Sequence, residues 1–428
     1  MGITSFRDPI HGFIDVEPLE LEIINSAPFQ RLRHIRQLGT TYLVYHGAEH
    51  TRFGHSLGVM HLVSKAFDSA VTNYEIRYGV PLFSSDVRAH YRKLLRIIAL
   101  THDLGHPPFS HAGEGVFEDG VKHEWFTKKI LHETEIAKIL RNSSDITSEL
   151  IWLIYGEKDS EALKNPDYIL PDFKFLKGFM DSDLDCDKMD YLLRDSYYCG
   201  VNYGKYDVNR LIDSLNTYKK GGVLQLAVER GGLYAFEEFV IARHFMFVQV
   251  YFHKTRRYLD MLLSSALKDF WGNKISEDTP LDVYLSSHDG VALKDFQEKE
   301  GTESNARRFL NRDIMSCVYE TPVQSGRSEN NIFKLIHNLI LGNFPNVSVA
   351  VDSAEKVITD IPVINTYDAE SGVGTPILTN YSSTPRDLLS ESNLLSGLHQ
   401  PINIKRIYAE REKAEEIKSS IRELTRGG

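Results

Sequence analysis

The stretch Leu94-Leu95-Arg96-Ile97-Ile98-Ala99-Leu100-Thr101-His102-Asp103-Leu104-Gly105-His106-Pro107-Pro108-Phe109-Ser110-His111 decides the fold. Its apolar residues keep helical spacing up to His102-Asp103, and Gly105 with Pro107-Pro108 then stops the helix. Asp86 is placed to cap the start. An imidazole and a carboxylate on successive residues thus leave a helix end beside buried surface, where both can reach one metal ion. Chance gives about one His-Asp pair in a chain with 17 His and 29 Asp, and there are two. The other, His288-Asp289, lies in Ser286-Ser287-His288-Asp289-Gly290 and reads as a turn or cap. Context separates them: 12 of the 17 histidines fall within the first 132 residues. The site is expected in the N-terminal third.

Two further ligands are at hand. His55, in Thr51-Arg52-Phe53-Gly54-His55-Ser56, opens an apolar helix running to Val71. Asp187 lies in Asp181-Ser182-Asp183-Leu184-Asp185-Cys186-Asp187-Lys188-Met189-Asp190-Tyr191. That acidic run is no EF-hand loop, because Cys186 stands at its glycine position and Leu192 at its final glutamate. On a helix from Asp185 to about Tyr197, Asp187, Tyr191 and Asp195 share one face. Two imidazoles and two carboxylates suit one divalent ion (Mn, Fe, Zn, Ni or Mg), with positions left for water and substrate oxygens.

After Asp103 the turn can aim His106 and His111 at one point, and a histidine there suits proton donation to a leaving oxygen. His132-Glu133 opens the next expected helix, to Arg141, with His123-Glu124 a rival partner for the loop. Cations for phosphate are Arg52, Lys188 and Arg243. Lys254, Arg256 and Arg257 follow on one long helix expected from Leu233 to Trp271.

Composition bounds the rest. With 42% hydrophobic and 25% charged residues the chain is globular rather than disordered, and a net charge of −10 argues against nucleic acid as its main partner. Cys186, Cys199 and Cys317 form no C-x-x-C pair, which suits a reducing compartment. Met1 to Asp8 has no apolar signal segment. The most apolar window, Phe239 to Phe252, is interrupted by Arg243 and His244, so a cytoplasmic location with no membrane partner is expected. Helices dominate the first half, with a division at Pro28. A strand is expected at Val223 to Val228 after a Lys219–Gly222 turn. Short β-like runs at Val347–Val351, Ile361–Ile364 and Thr375–Leu378 precede a charged helix from Ala409 to Leu424.

In chain order, His55, His102-Asp103 and Asp187 match the H…HD…D signature of the HD-domain phosphohydrolases. The wider strings are more specific. They are Asp8-Pro9-Ile10-His11-Gly12, Phe29-Gln30-Arg31-Leu32-Arg33, Gln37-Leu38-Gly39 and Arg52-Phe53-x-His55-Ser56-Leu57-Gly58-Val59. With them go His102-Asp103-Leu104-Gly105-His106-x-Pro108-Phe109-Ser110-His111 and Asp187-Lys188-x-Asp190-Tyr191-x-x-Arg194-Asp195. Together they resemble the deoxynucleoside triphosphate triphosphohydrolases of the SAM-and-HD-domain type and their bacterial relatives. The likeness is close over about residues 6–205 and looser, through Arg243 and Tyr251-x-His253-Lys254, to about 345. No SAM domain is expected ahead of it.

The resemblance implies a mainly α fold, an HD-domain helical core with a short β element, whose catalytic core occupies 1–215. A helical extension at 216–345 would complete the substrate pocket and an oligomer interface, and 346–428 would form a small mixed α/β region. It implies a metal at His55, His102, Asp103 and Asp187, and hydrolysis of a dNTP to deoxynucleoside and triphosphate by metal-bound water attacking the α-phosphorus. His111 would protonate the leaving 5′-oxygen, with His106, His132 and Glu133 near the phosphate. Arg52, Lys188 and Arg243 would hold phosphates, and Gln37 and Asp195 would read the 3′-hydroxyl. Tyr191 would close the 2′ side and reject ribose, and Tyr251 joins the substrate residues. Asn25, Arg33 and Lys254 fall at an activating-nucleotide site, where Asn25 replaces the family's carboxylate and Thr4 its lysine. A homo-oligomer, dimer or tetramer, is implied. Alternatives on the same metal site are hydrolysis of another nucleotide or a phosphomonoester, and a non-catalytic nucleotide or nucleic-acid sensor. A cyclic-dinucleotide phosphodiesterase would want Lys at His106, and a (p)ppGpp hydrolase an acidic pair shortly after His102-Asp103.

Overall fold

A 27-residue helix, Arg52–Tyr78, is the axis of the fold. Val59, Met60, Leu62, Val63, Ala66, Phe67, Ala70 and Val71 are all buried, so apolar residues face inward on more than one side, as in a helix enclosed by neighbours. The computed structural model describes residues 4–143, 146–155, 172–272, 275–299, 304–357, 375–382, 384–387, 391–398 and 400–426. Against the axis pack helix Ser85–Thr101, helix Cys186–Cys199 and strand Leu215–Lys220. The second helix is capped by Ser84, whose Oγ accepts the Val87 N–H at 3.3 Å, and not by Asp86. Asp86 sits in the first turn, where a carboxylate favours the N-terminal dipole. Asp185 caps Cys186–Cys199 by accepting the Lys188 N–H at 2.8 Å.

The N-terminal segment forms a hairpin, Thr4–Asp8 with Gly12–Val16, that the sequence reading did not include. Helix Pro18–Asn25 and one turn at Ala27–Gln30 follow, so the break falls at Ser26. Pro28 lies in the first turn of the second piece, where its missing N–H is harmless. Strand Val223–Glu229 pairs with Leu215–Lys220 across Gly221 and Gly222, both at positive φ as a tight hairpin turn requires.

The expected helix from Leu233 to Trp271 is two. Leu233–Met246 runs into a π-helical turn at Phe247–Tyr251, and Lys254–Trp271 restarts after His253, whose Nδ1 accepts the Thr255 N–H. A π turn adds one residue without changing which residues are apolar, so periodicity does not register it. Lys254–Trp271 centres a second core with Phe109, Phe126, Tyr284, Phe296 and Phe309.

A third core lies under an antiparallel sheet in which Ile402–Ala409 is flanked by Ser316–Glu320 and Val349–Lys356. Helices Arg327–Asn343 and Ala414–Arg426 cover it. The final helix therefore starts at Ala414, and Ala409 ends a strand. That sheet and the hairpin at Leu215 run across the expected divisions at 215/216 and 345/346. Thr375–Leu378 contains the strand Pro376–Leu378, paired parallel to Val223–Glu229, while Ile361–Ile364 lies outside the described residues. The fold is mainly α, with small sheets and a mixed α/β C-terminal region.

Candidate metal centre and active site

Helix geometry brings His55, His102, Asp103 and Asp187 to one point. His55 Nε2 lies 2.9 Å from Asp187 Oδ1 and 3.6 Å from Asp103 Oδ2. His102 Nε2 lies 3.3 Å from Asp103 Oδ1 and 3.8 Å from Asp187 Oδ1. Donor atoms about 3.0–3.4 Å apart are what neighbouring ligands on one ion with bonds near 2.1 Å require. The remaining nitrogens face away from this point. His55 Nδ1 bonds Asp190 Oδ2 at 2.8 Å and His102 Nδ1 bonds the Ala99 carbonyl oxygen at 2.7 Å. Those partners assign the proton to Nδ1 on each ring and turn the Nε2 lone pairs inward, the usual arrangement behind a metal-binding histidine.

The electrostatics agree. Burial alone would lower His55, but hydrogen bonds to Asp187 and Asp190 and the charges of Asp190 and Asp103 raise it to about 10. His102 is raised the same way, against burial, by Asp103 and Asp187. Burial would raise the Asp103 carboxyl, yet Arg52, His102 and His106 hold it well below its usual value. Asp187 is likewise lowered, against burial, by His102 and His55. The site attracts positive charge, and the residues fit a divalent ion.

Behind His55 is a buried network whose roles the sequence reading left unassigned. Asp190 accepts from Arg194 Nε and Nη2 at 2.8 and 2.9 Å, and its Oδ1 lies 2.6 Å from His11 Nε2. Arg194 Nη1 donates to Asp8 Oδ2 at 2.9 Å. Only glycine fits at position 58, where a Cβ would meet Asp190 Oδ1 at 1.9 Å. The inward i,i+4 pair Asp190/Arg194 was a readable signal; Asp8 stands in the string Asp8-Pro9-Ile10-His11-Gly12, whose spacing does not tie it to Arg194.

The loop beyond Asp103 gathers a second cluster. His106 and His123 stack with ring centroids 3.8 Å apart, and His111 lies edge-on to both at 4.8 and 5.5 Å. Glu114 Oε1 lies 3.0 Å from His111 Nδ1 and 2.8 Å from His123 Nδ1. Burial, then Arg52 and His123, hold His106 well below the ordinary histidine value, so it is neutral at pH 7. Burial would raise Glu114, but the hydrogen bonds from His111 and His123 lower it. Here the structure corrects the pairing expected of His132 and Glu133. Helix His123–Glu133 starts with the rival histidine and ends at Glu133, and Thr134 caps the next helix, Glu135–Arg141. Glu133 is exposed, and the cavity lining contains His123 and not His132.

One cavity of about 500 Å³ joins the two clusters. Gln37, Arg52, Lys188, Tyr191, Asp195, Arg243 and Tyr251 line it, with Arg256, Arg257 and Lys356 also on its wall. Arg52 donates to Asp103 Oδ2 at 2.6 Å and to Ser110 Oγ at 2.8 Å. Lys188 pairs with Asp185, the cap of its own helix, and Arg243 lies 5.8 Å from the Phe247 ring. Tyr251, at the π turn, donates to Asp195 Oδ2 at 2.6 Å, and His50 Nε2 lies 2.8 Å from Oδ1. The Tyr191 and Tyr251 rings meet edge-on. A separate pocket holds Arg33, stacked 3.4 Å over Phe53, with neither Asn25 nor Lys254 in its lining. Asn25 and Lys254 are both exposed.

Family models match at residues 52–175, described as an HD domain, and at 206–425, described as an HD-associated region. The chain belongs to the HD-domain phosphohydrolases. It is 30% identical to the Bacillus subtilis (strain 168) protein YwfO, described as uncharacterized, over 98% of this chain and 96% of that one. It is 31% identical to the Gallus gallus protein named deoxynucleoside triphosphate triphosphohydrolase SAMHD1, over 83% of this chain and 63% of that one. A Dictyostelium discoideum homolog of that name is 26% identical over 98% and 80%. Among solved structures, a hypothetical protein from Aquifex aeolicus superposes with a TM-score of 0.78 at 31% identity, covering 98% of this chain and 99% of that one. HD domains hold divalent metals, and His55, His102 and Asp103 of this member present such a group. No helix among the described residues is long and apolar enough to cross a membrane.

Proposed function

We propose that this HD-domain protein hydrolyses deoxynucleoside triphosphates to deoxynucleoside and triphosphate. The observation that carries the reading is one cavity lined by His102, Asp103 and Asp187 together with Arg52, Lys188, Arg243 and the Tyr191–Asp195–Tyr251 group. Its volume is within the range of ligand pockets, roughly 300–1,000 Å³. His55, His102, Asp103 and Asp187 would hold one divalent ion (Mn, Fe, Zn, Ni or Mg), which supplies charge neutralisation at the phosphate and a water of lowered pKa.

In this reading a water oxygen bonds the α-phosphorus and gives up a proton to solvent, the bond from phosphorus to the 5′-oxygen breaks, and His111, carrying a proton, passes it to that oxygen; the water's oxygen leaves on the triphosphate. Glu114 holds His111 and His123 by their Nδ1 atoms, and neutral His106 backs the ring of His123. His123 takes the place expected of His132. Arg52, Lys188 and Arg243 bind phosphate oxygens. Gln37 and Asp195 read the 3′-hydroxyl; each Asp195 oxygen keeps a lone pair beyond its bond to His50 or Tyr251. Tyr191 and Tyr251 wall the sugar, so an added 2′-hydroxyl meets an aromatic edge and no partner. A homo-oligomer and an activating nucleotide near Arg33 belong to the same reading, and so does a cytoplasmic location.

The test is product analysis with each dNTP, alone and in pairs, with Mn²⁺ or Mg²⁺. Triphosphate with free deoxynucleoside supports the reading. Phosphate or pyrophosphate as the only product, or no turnover of any dNTP, ends it in favour of another phosphorylated substrate.

A further inference from the structure

The HD-associated region grips the histidine loop at both ends. Phe109 and Ser110 are consecutive left-handed residues, φ 59° and 57°, and neither is glycine. The tether at the far end of the loop is Asp289, which is 2% exposed. Its Oδ1 accepts the Phe109 N–H at 2.7 Å, and its Oδ2 accepts the Arg36 N–H at 3.1 Å. Ser110 Oγ closes the ring by donating to the Arg36 carbonyl at 2.6 Å while accepting from Arg52 Nε at 2.8 Å. At the near end the Tyr284 hydroxyl donates to the Gly105 carbonyl, and Arg31 Nε donates to the Ser287 carbonyl at 2.9 Å. Residues 284–289 thus hold the loop on either side of His106.

We infer that Asp289 is a positioning residue of the hydrolytic site, fixing the left-handed Phe109-Ser110 turn and through it the direction of His111 and Arg52. The Asp289 carboxylate comes from a helix 180 residues along the chain and accepts the N–H of Phe109, the left-handed residue that precedes the 3-10 turn Ser110–Val116. Ser110, next in the chain, carries the hydrogen bond that orients Arg52 towards Asp103. A shift of about 1 Å in such a group is enough to cost on the order of 10²-fold in rate. The inference rests on the phosphohydrolase reading for its catalytic consequence, not for the clasp itself.

The experiment compares Asp289→Ala and Asp289→Asn with Lys294→Ala, an exposed control on the same helix. Rates use whichever dNTP the unaltered protein hydrolyses; metal content and hydrogen exchange in residues 104–112 are read alongside. The Ala variant should lose on the order of 10²-fold in kcat, and the Asn variant about tenfold. KM should stay within about twofold. Metal content should hold, and exchange should quicken in 104–112 but not in Arg52–Tyr78. Unchanged kcat or unchanged loop exchange in both variants overturns the inference, as does equal quickening along Arg52–Tyr78. Should the Ala variant fail to fold, Asp289→Asn decides alone. A protein that hydrolyses no phosphate ester sinks the function reading, while loop exchange still decides the clasp.

Discussion

Two histidine clusters sit side by side in this molecule, and they are built in opposite ways. Around His55 and His102 every ring is buried and braced from behind, and carboxylates of Asp103, Asp187 and Asp190 crowd the rings. Around His106, His111 and His123 one carboxylate, Glu114, bonds two rings, Asp103 Oδ1 lies 3.3 Å from His106 Nε2, Glu124 lies 3.5 Å from His123 Nδ1, and the His111 side chain is 65% exposed. The first arrangement concentrates negative charge on fixed lone pairs, which is what a cation needs. The second leaves one ring free to meet a ligand and another neutral beside it, which is what proton transfer needs. Residue type alone does not separate the two; the hydrogen bonds that fix Nδ1 behind His55 and His102, and the exposure of His111, do.

The sharpest way to break this division is Asp103→Ala. Bound metal should disappear on elemental analysis and hydrolysis should fall by about three orders of magnitude or more. Full activity in a metal-free variant would refute the assignment. His111→Ala should instead retain the metal and lose about 10²–10⁴-fold in kcat; loss of metal in that variant would erase the distinction between the clusters. Asp190→Asn probes the brace, and titration calorimetry should report metal affinity lower by about 10–100-fold. The smallest effect is a proton count. With His55 raised to about 10, the ring is protonated at pH 7 in the metal-free protein, so an ion must displace that proton. Calorimetry in buffers of different ionisation enthalpy should give at least one proton released per ion, from His55 with a contribution from the raised His102, and affinity should rise as pH rises. Zero release, or two ions bound per chain, would mean that the clusters share their work.

How much of this was readable follows the same line. The quartet was legible because all four of its members stand at or beside helix starts or ends, where sequence signals are strongest: His55 in the first turn, His102-Asp103 at a stop, Asp187 after a cap. The aromatic–carboxylate face was legible because Asp187, Tyr191 and Asp195 keep four-residue spacing on one helix. What spacing does not give is the role of residues held by long-range contacts. Asp8 and His11 stand in the string Asp8-Pro9-Ile10-His11-Gly12 with no role attached, and Asp289 reads as a turn or cap; they bond their partners from 179 to 186 residues away in sequence. A helix expected to open at His132 favours His132 over His123, and the helix in fact begins nine residues earlier, at His123. The π turn at Phe247–Tyr251 escaped because hydrophobic spacing cannot distinguish four residues per turn from five.

The three-stranded sheet has a consequence for how the protein comes into being. Its middle strand, Ile402–Ala409, is the last of the three in chain order, and the Tyr408 hydroxyl donates to the Lys254 carbonyl at the head of the second core's helix. On the ribosome, the helices that carry the quartet can collapse early, since their contacts are within the first 200 residues or so. Neither outer strand can pair with its neighbour until residue 409 has been made. The cavity wall at Lys356, on one of those strands, is therefore among the last parts to settle. A nascent chain carries the quartet of His55, His102, Asp103 and Asp187 long before it owns a finished pocket.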